Sequence, residues 1–162
     1  MKILDSAMII AIVNEIKYPE LIDKLLKLNH ELFVPSSVYD ELLDENSKRE
    51  CKGLIENDKL KVCRLNTKTE VEDFQKSYPY LGKGECDSML QFTKLTKNAQ
   101  KVYCILDDKP ARKVADSLNI QYTGLLGLVK LLKNRNAITS NEYDNIMKAL
   151  EGSTFRMPRD VK

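Results

Sequence analysis

The chain has four cysteines and a single histidine in 162 residues, and none of them is spaced for a metal. Cys51, Cys63, Cys86 and Cys104 include no Cys-x-x-Cys pair, and His30 stands alone. That argues against a zinc centre, which draws on closely spaced Cys and His. No disulfide framework is legible either, so the thiols are expected to be reduced and partly buried, as in a cytoplasmic protein. No apolar stretch approaches the roughly 18 residues of a membrane span. The opening MKILDSAMIIAIV carries an apolar run, but Asp5 interrupts its start and no small-residue cleavage site follows. It reads as mature structure rather than a leader. An excess of one charge is also missing: 26 Lys and Arg against 24 Asp and Glu leave +2. That balance gives no argument for nucleic-acid binding, although a local acidic cluster would mask basic surroundings in the total.

Repeats, low-complexity tracts and linkers are absent as well. With 43% hydrophobic residues, the chain is long enough to bury one core. Residues 1–150 read as one domain, and 151–162 as a basic tail with little pattern. Short apolar runs at 2–5, 31–34, 60–65, 102–106 and 120–122 read as strands. Helical spacing covers 6–16, 19–28, 47–57, 68–77, 84–97, 110–118, 124–134 and 140–150, with a further helix through VYDELLDE that Ser36 or Ser37 would cap. Strands alternating with helices predict an α/β fold in three layers, with a short parallel sheet between helices.

Acidic residues then fall at suggestive places. Asp5 follows the first strand, and the adjacent pair Asp107 and Asp108 follows the fourth. Ligands of open α/β sheets bind at these carboxyl ends, where strand order reverses. Asp after a strand is also a common helix cap, so either acid alone would decide nothing. Glu41 flanks the apolar stripe of the helix after the second strand. Asp40 and Asp44 point away from it, while Glu45 edges it and competes with Glu41. In LGKGECDSML, Glu85 shares its face with Met89 and Phe92, the core side. Asp87 shares its face with Gln91 and Lys94 and is expected toward solvent, where it would merely favour the helix N-terminus.

Four carboxylates gathered in one cleft cannot all stay ionised unless a cation sits among them. Oxygen ligands without His or Cys select a hard ion, Mg²⁺ or Mn²⁺. Such an ion suits hydrolysis of a phosphodiester.

The order and spacing of these segments resemble a PIN domain, the small nuclease fold that includes VapC-type toxins. The likeness runs through ILDSAMII with Asp5, VPSSVYDELL with Glu41, LGKGECDSML with Glu85 and Asp87, ILDDKPAR with Asp107, Asp108 and Arg112, and TGLLGLVKLLK. It covers essentially the whole chain. The resemblance implies strand order 3-2-1-4-5, catalytic acids at Asp5, Glu41, Glu85, Asp87, Asp107 and Asp108, and an Mg²⁺ or Mn²⁺ site drawing on Asp5, Glu85, Asp107 and Asp108. It implies cleavage of single-stranded RNA, a small antitoxin protein as partner, and a homodimer whose face the apolar helix 124–134 could supply. The family often ends its fourth strand in Thr-x-Asp; here Leu106 replaces the Thr, and both Asp107 and Asp108 stay open as the ligand. Whichever acid does not reach the cleft is expected to cap the helix that starts at Lys109-Pro110. Arg112 holds a phosphate or, in preference, pairs with an acid. Lys83, Lys109, Arg112 and Lys113 flank the acids and could hold a substrate strand.

Two other acidic α/β folds fit less well. A phospho-acceptor receiver wants its acidic pair after the first strand, where this chain has one acid. A haloacid-dehalogenase-type phosphatase needs Asp-x-Asp there, and the chain reads Asp5-Ser6-Ala7. A PIN-like module that binds RNA or a protein without cleaving is the remaining alternative. Cys86 and Cys104, near the motifs but without a histidine partner, read as core residues.

Overall fold

The computed structural model describes residues 1–97 and 101–153. Its strands are short: β1 (Lys2–Leu4), β2 (Leu32–Pro35), β3 (Lys61–Cys63), β4 (Tyr103–Ile105) and β5 (Tyr122–Thr123). They pair in parallel throughout, in the order β3-β2-β1-β4-β5. The expected topology is therefore the observed one. Helices α1 (Ser6–Ile10), α2 (Glu20–Lys27), α3 (Ser36–Glu41), α4 (Glu45–Glu56), α5 (Lys68–Ser77), α6 (Lys83–Thr96), α7 (Lys109–Ser117), α8 (Leu125–Asn134) and α9 (Ser140–Glu151) fill the connections.

Alternation along each strand divides the core in two. Leu4 and Ile105 join Met8, Leu21, Leu128 and Leu150 on one face. Ile3 and Cys104 join Met89, Phe92, Val114 and Ile120 on the other. Both faces are covered, which explains why the strands read as continuous apolar runs.

Several expectations need correction. The helix over 6–16 is not uniform: after Ile10 it widens into a π-helical stretch, Ala11–Glu15. The helix through VYDELLDE stops at Glu41, because Leu42 turns extended (φ −69°, ψ 103°) and buries its side chain. Asp44 is half-exposed and has a structural task. Its carboxylate caps α4 by accepting the N–H of Ser47 at 2.7 Å, and it accepts a second bond from Asn14 at 3.1 Å. Glu45 is exposed in the first turn of α4 and competes with Glu41 for nothing. Neither Ser36 nor Ser37 caps α3; Pro35 holds that position, and both serines lie in the first turn. Leu125, Leu128, Val129 and Leu132 of α8 are almost fully buried and serve the core. Residues 154–162 of the basic tail lie outside the described residues.

Asparagine and aspartate, rather than glycine, take the left-handed positions after α2, α4, α7 and α8, at Asn29, Asp58, Asn119 and Asn136. Three glycines, Gly82, Gly84 and Gly124, instead lie among the acids.

Candidate active site

β1 and β4 are neighbours in register, Leu4 opposite Ile105. Residues that follow them therefore emerge side by side at the carboxyl edge, at the point where strand order reverses. Asp5 emerges there from β1 and is 3% exposed. Its Oδ1 accepts the N–H of Met8 at 2.8 Å, which caps α1. Its other oxygen has no hydrogen-bond partner among the described residues. Burial, opposed by that Met8 bond, and the nearby charges of Asp107, Glu85 and Glu41 push the Asp5 carboxyl up to about 8. The charges of those three acids thus all reach Asp5.

Beyond β4, Leu106 is buried and Asp107 turns into the cleft. Its Oδ1 accepts from Arg112 Nη2 at 2.9 Å, and its Oδ2 from the N–H of Leu125 at 3.0 Å. Arg112 is itself anchored, with Nε donating to the Leu106 carbonyl at 2.8 Å. So Arg112 pairs with an acid, as preferred above. Burial raises the Asp107 pKa, and the Leu125 N–H and the Arg112 charge oppose it. Gly124 makes this approach possible: a Cβ there would collide with both Arg112 Nη2 and Asp107 Oδ1. Asp108 takes the other task. It is exposed, and its Oδ2 accepts the N–H of Ala111 at 3.3 Å as the cap of α7, with Pro110 in the first turn. Its charge still reaches Glu85.

Glu41 ends α3. Its Oε1 accepts the N–H of Gly84 at 2.8 Å and its Oε2 accepts from Ser6 Oγ at 3.3 Å. Glu85 is half-buried, and its Oε2 accepts the N–H of Gly82 at 2.9 Å, closing the start of α6. Glu41 Oε1 and Glu85 Oε2 lie 3.6 and 3.7 Å from the point a Cβ on Gly82 would occupy, so Gly82 separates two carboxylates. Burial raises the Glu85 pKa, the Gly82 N–H opposes it, and Asp108 and Glu41 add to it.

Glu85, expected on the inner side of α6, is half-buried in the cleft and also closes the helix N-terminus, whereas Asp87, expected at solvent, is 3% exposed. Asp87 accepts from Ser37 Oγ at 2.6 Å, Asn66 Nδ2 at 2.6 Å and Gln91 Nε2 at 3.1 Å. Its face of α6 is polar yet buried, because Gln91 beneath it bonds the Cys63 carbonyl at 2.9 Å. Polar residues at helical spacing were mistaken for a wet face. Ser6, Ser37 and Asn66 went unread because nothing in their local sequence shows which distant carboxylate each will meet. Cys86 and Cys104 are free and buried, with thiol pKa values pushed up by burial first.

A groove of about 360 Å³ opens beside the acids, with Glu41, Asp87, Asn66, Lys68 and Lys83 among its walls. Lys109 and Lys113 are exposed on α7. The donors are all carboxylate oxygens, the set a hard divalent ion prefers. Among the described residues, no three His, Cys, Asp or Glu side chains are already gathered around one point.

A five-stranded parallel sheet with a buried carboxylate at its switch point defines a small α/β domain with an acidic cleft. The chain belongs to the PIN-domain family: the model of the family DUF3368, described as a PIN domain, matches residues 1–162. PIN domains are in general nucleases, and they typically use divalent metals. Neither the curated proteins nor the solved structures yielded a match. Among the described residues no helix is long and apolar enough to cross a membrane.

Proposed function

We propose that this protein is a metal-dependent ribonuclease that hydrolyses phosphodiester bonds in single-stranded RNA. The observation that carries the reading is Asp5, buried with one oxygen free and surrounded by the charges of Asp107, Glu85 and Glu41. Burying a carboxylate among carboxylates is unfavourable unless the site exists to meet positive charge. Mg²⁺ or Mn²⁺ would be held by Asp5, Glu85 and Asp107, with Asp108 at the rim. When bound, the ion supplies polarisation of the scissile phosphate and a lower pKa for the attacking water.

The protein's own groups account for the rest. Backbone N–H donors at Met8, Gly82, Gly84 and Leu125 hold one side of each carboxylate and fix its direction. One carboxylate of the set takes the proton of the attacking water, acting as general base. Arg112 aims Asp107 and opposes the rise that burial gives its pKa. Exposed Lys83, Lys109 and Lys113 attract the phosphates of the strand, an attraction that weakens with salt. The resemblance to VapC-type toxins extends the proposal to a cytoplasmic toxin neutralised by a small antitoxin.

The test is cleavage of labelled single-stranded RNA with Mn²⁺ or Mg²⁺, comparing wild type with Asp5→Asn and with EDTA. The variant should lose on the order of a hundredfold or more, and EDTA should abolish cleavage. Equal cleavage by both proteins would overturn the nuclease reading. A second reading, a module that binds RNA or a protein without cutting, is favoured by the acids not being gathered to ligating distance. Saturable RNA binding without metal-dependent products would select it. Growth arrest on expression, relieved by the product of an adjoining small gene, tests the toxin role.

A further inference from the structure

The opposite end of the sheet carries a second site of contrary charge. Lys2, at the start of β1, lies in register with Tyr103 at the start of β4. Because side chains alternate, Lys2 falls on the same face as Leu4, the face covered by α8. There it is 6% exposed, a rare placement for lysine without a partner. Its ammonium makes no hydrogen bond and no ion pair among the described residues; it lies 5.1 Å from the centre of the Tyr103 ring. Lys101 Nζ lies 5.9 Å from the same ring. The N-terminal ammonium is beside them, donating to the Lys101 carbonyl at 3.1 Å.

These groups line a cavity of about 440 Å³, together with His30, Thr123, Gly127, Leu128 and Leu131. The volume is within the range of small-molecule pockets. Its charges are unbalanced. Burial and the neighbouring Lys101 charge lower the Lys2 pKa; burial and Lys2 lower that of the N-terminus; burial, Lys2, the N-terminus and Arg135 lower that of His30. The carboxylate that offsets them at the N-terminus, Glu31, is itself committed to Lys61 at 3.2 Å. The Lys2 ammonium faces the cavity with no anionic partner, and an anion entering there would supply one.

We propose that this pocket binds a small organic anion, its phosphate or carboxylate group set between Lys2 and Lys101 and its apolar body against Leu128 and Leu131. The chemistry comes from the pocket's two halves, cationic at the strand ends and aliphatic along α8. It does not depend on the nuclease reading, since none of these residues belongs to the acidic cleft.

NMR titration of the full chain tests the proposal. The probes are uridine 5′-monophosphate and benzoate, their uncharged counterparts uridine and benzamide, and inorganic phosphate. At least one of the two organic anions should give saturable shifts at Lys2, His30, Thr123 and Gly127, and which one does so identifies the oxyanion. Lys2→Met should weaken that binding about tenfold or more, the loss expected for one charge-assisted contact. Lys101→Met, at an exposed position, provides the same comparison should Lys2→Met fail to fold. Any of three outcomes overturns the proposal. They are the absence of saturable shifts at these residues, equal binding of the uncharged counterparts, and binding that neither lysine variant weakens. Inorganic phosphate binding as tightly as the organic anions would mark an adventitious ion only, which also overturns it.

Discussion

Glu41 Oε1 accepts the backbone N–H of Gly84 at 2.8 Å, joining the end of α3 to the first turn of α6 across 43 residues of chain. The bond requires the absence of a side chain at 84. A Cβ there would overlap Glu41 Oε2 and approach Val38 Cγ2 at 2.8 Å. Alanine is otherwise the better helix former, by about 1 kcal/mol. Gly84→Ala should therefore reverse the usual sign and destabilise, by about 1–3 kcal/mol. Urea denaturation of the variant measures it. A stabilised variant would mean that Glu41 moves aside freely and is not held for a task.

Gly124 and Asp107 stand in the same relation at the other side of the cleft. The backbone at Gly124 (φ −106°, ψ 180°) suits any residue, so only the collision with Arg112 and Asp107 opposes a larger one. Gly124→Ala is expected to cost about 1–3 kcal/mol. Removing the guanidinium makes room, so the double variant Gly124→Ala with Arg112→Ala should lose less than the sum of the single losses. Simple additivity in the denaturation cycle would contradict the crowding.

Asp87→Asn separates structure from catalysis. The Asp87 carboxylate accepts three side-chain bonds, and an amide in its place would turn an N–H₂ toward at least one donor. A loss of about 1–3 kcal/mol is expected. The midpoint of chemical denaturation reports it directly. An unchanged midpoint would show that Ser37, Asn66 and Gln91 reorient at no cost.

How much of this was legible in the chain depends on the range of the interaction involved. Parallel topology follows from strand–helix alternation, and Asp5 and Asp107 were found because each is fixed by a strand end one or two residues away. That Asp107 and Asp108 divide the work was legible, since Pro110 marks the start of a helix that one of them must cap. Which acid caps it was settled only by the cap of α7 at Asp108. Asp87 was assigned to the wrong surroundings for one reason. Helical periodicity reports which residues share a face, but not whether that face is wet. The Gln91 bond to Cys63 and the Asn66 bond to Asp87 join residues 28 and 21 positions apart, and no local pattern encodes them. The cationic cavity escaped for the same reason, because Lys2 at the start of β1 meets Lys101, Tyr103 and α8 only through the fold.

Asp5 gives the pH dependence its sign. Its carboxyl is raised from an ordinary 3.8 to about 8 by burial first, and by Asp107, Glu85 and Glu41. Between those values the folded protein keeps a proton that the unfolded chain releases, so stability falls as pH rises through the window. Above about 8 both forms are ionised and the whole penalty is present. Asp5→Asn carries no such proton and should show no such fall. The melting temperature of the variant should therefore exceed that of wild type by more at about pH 8.5 than at about pH 5. A divalent ion favours the ionised carboxylate, so Mn²⁺ should recover wild-type stability at the higher pH and leave Asp5→Asn unmoved. Thermal melts of both proteins at both pH values, with and without Mn²⁺, decide it. A gap that stays constant with pH would show that Asp5 does not titrate in this window. Equal stabilisation of both proteins by Mn²⁺ would place the ion away from Asp5.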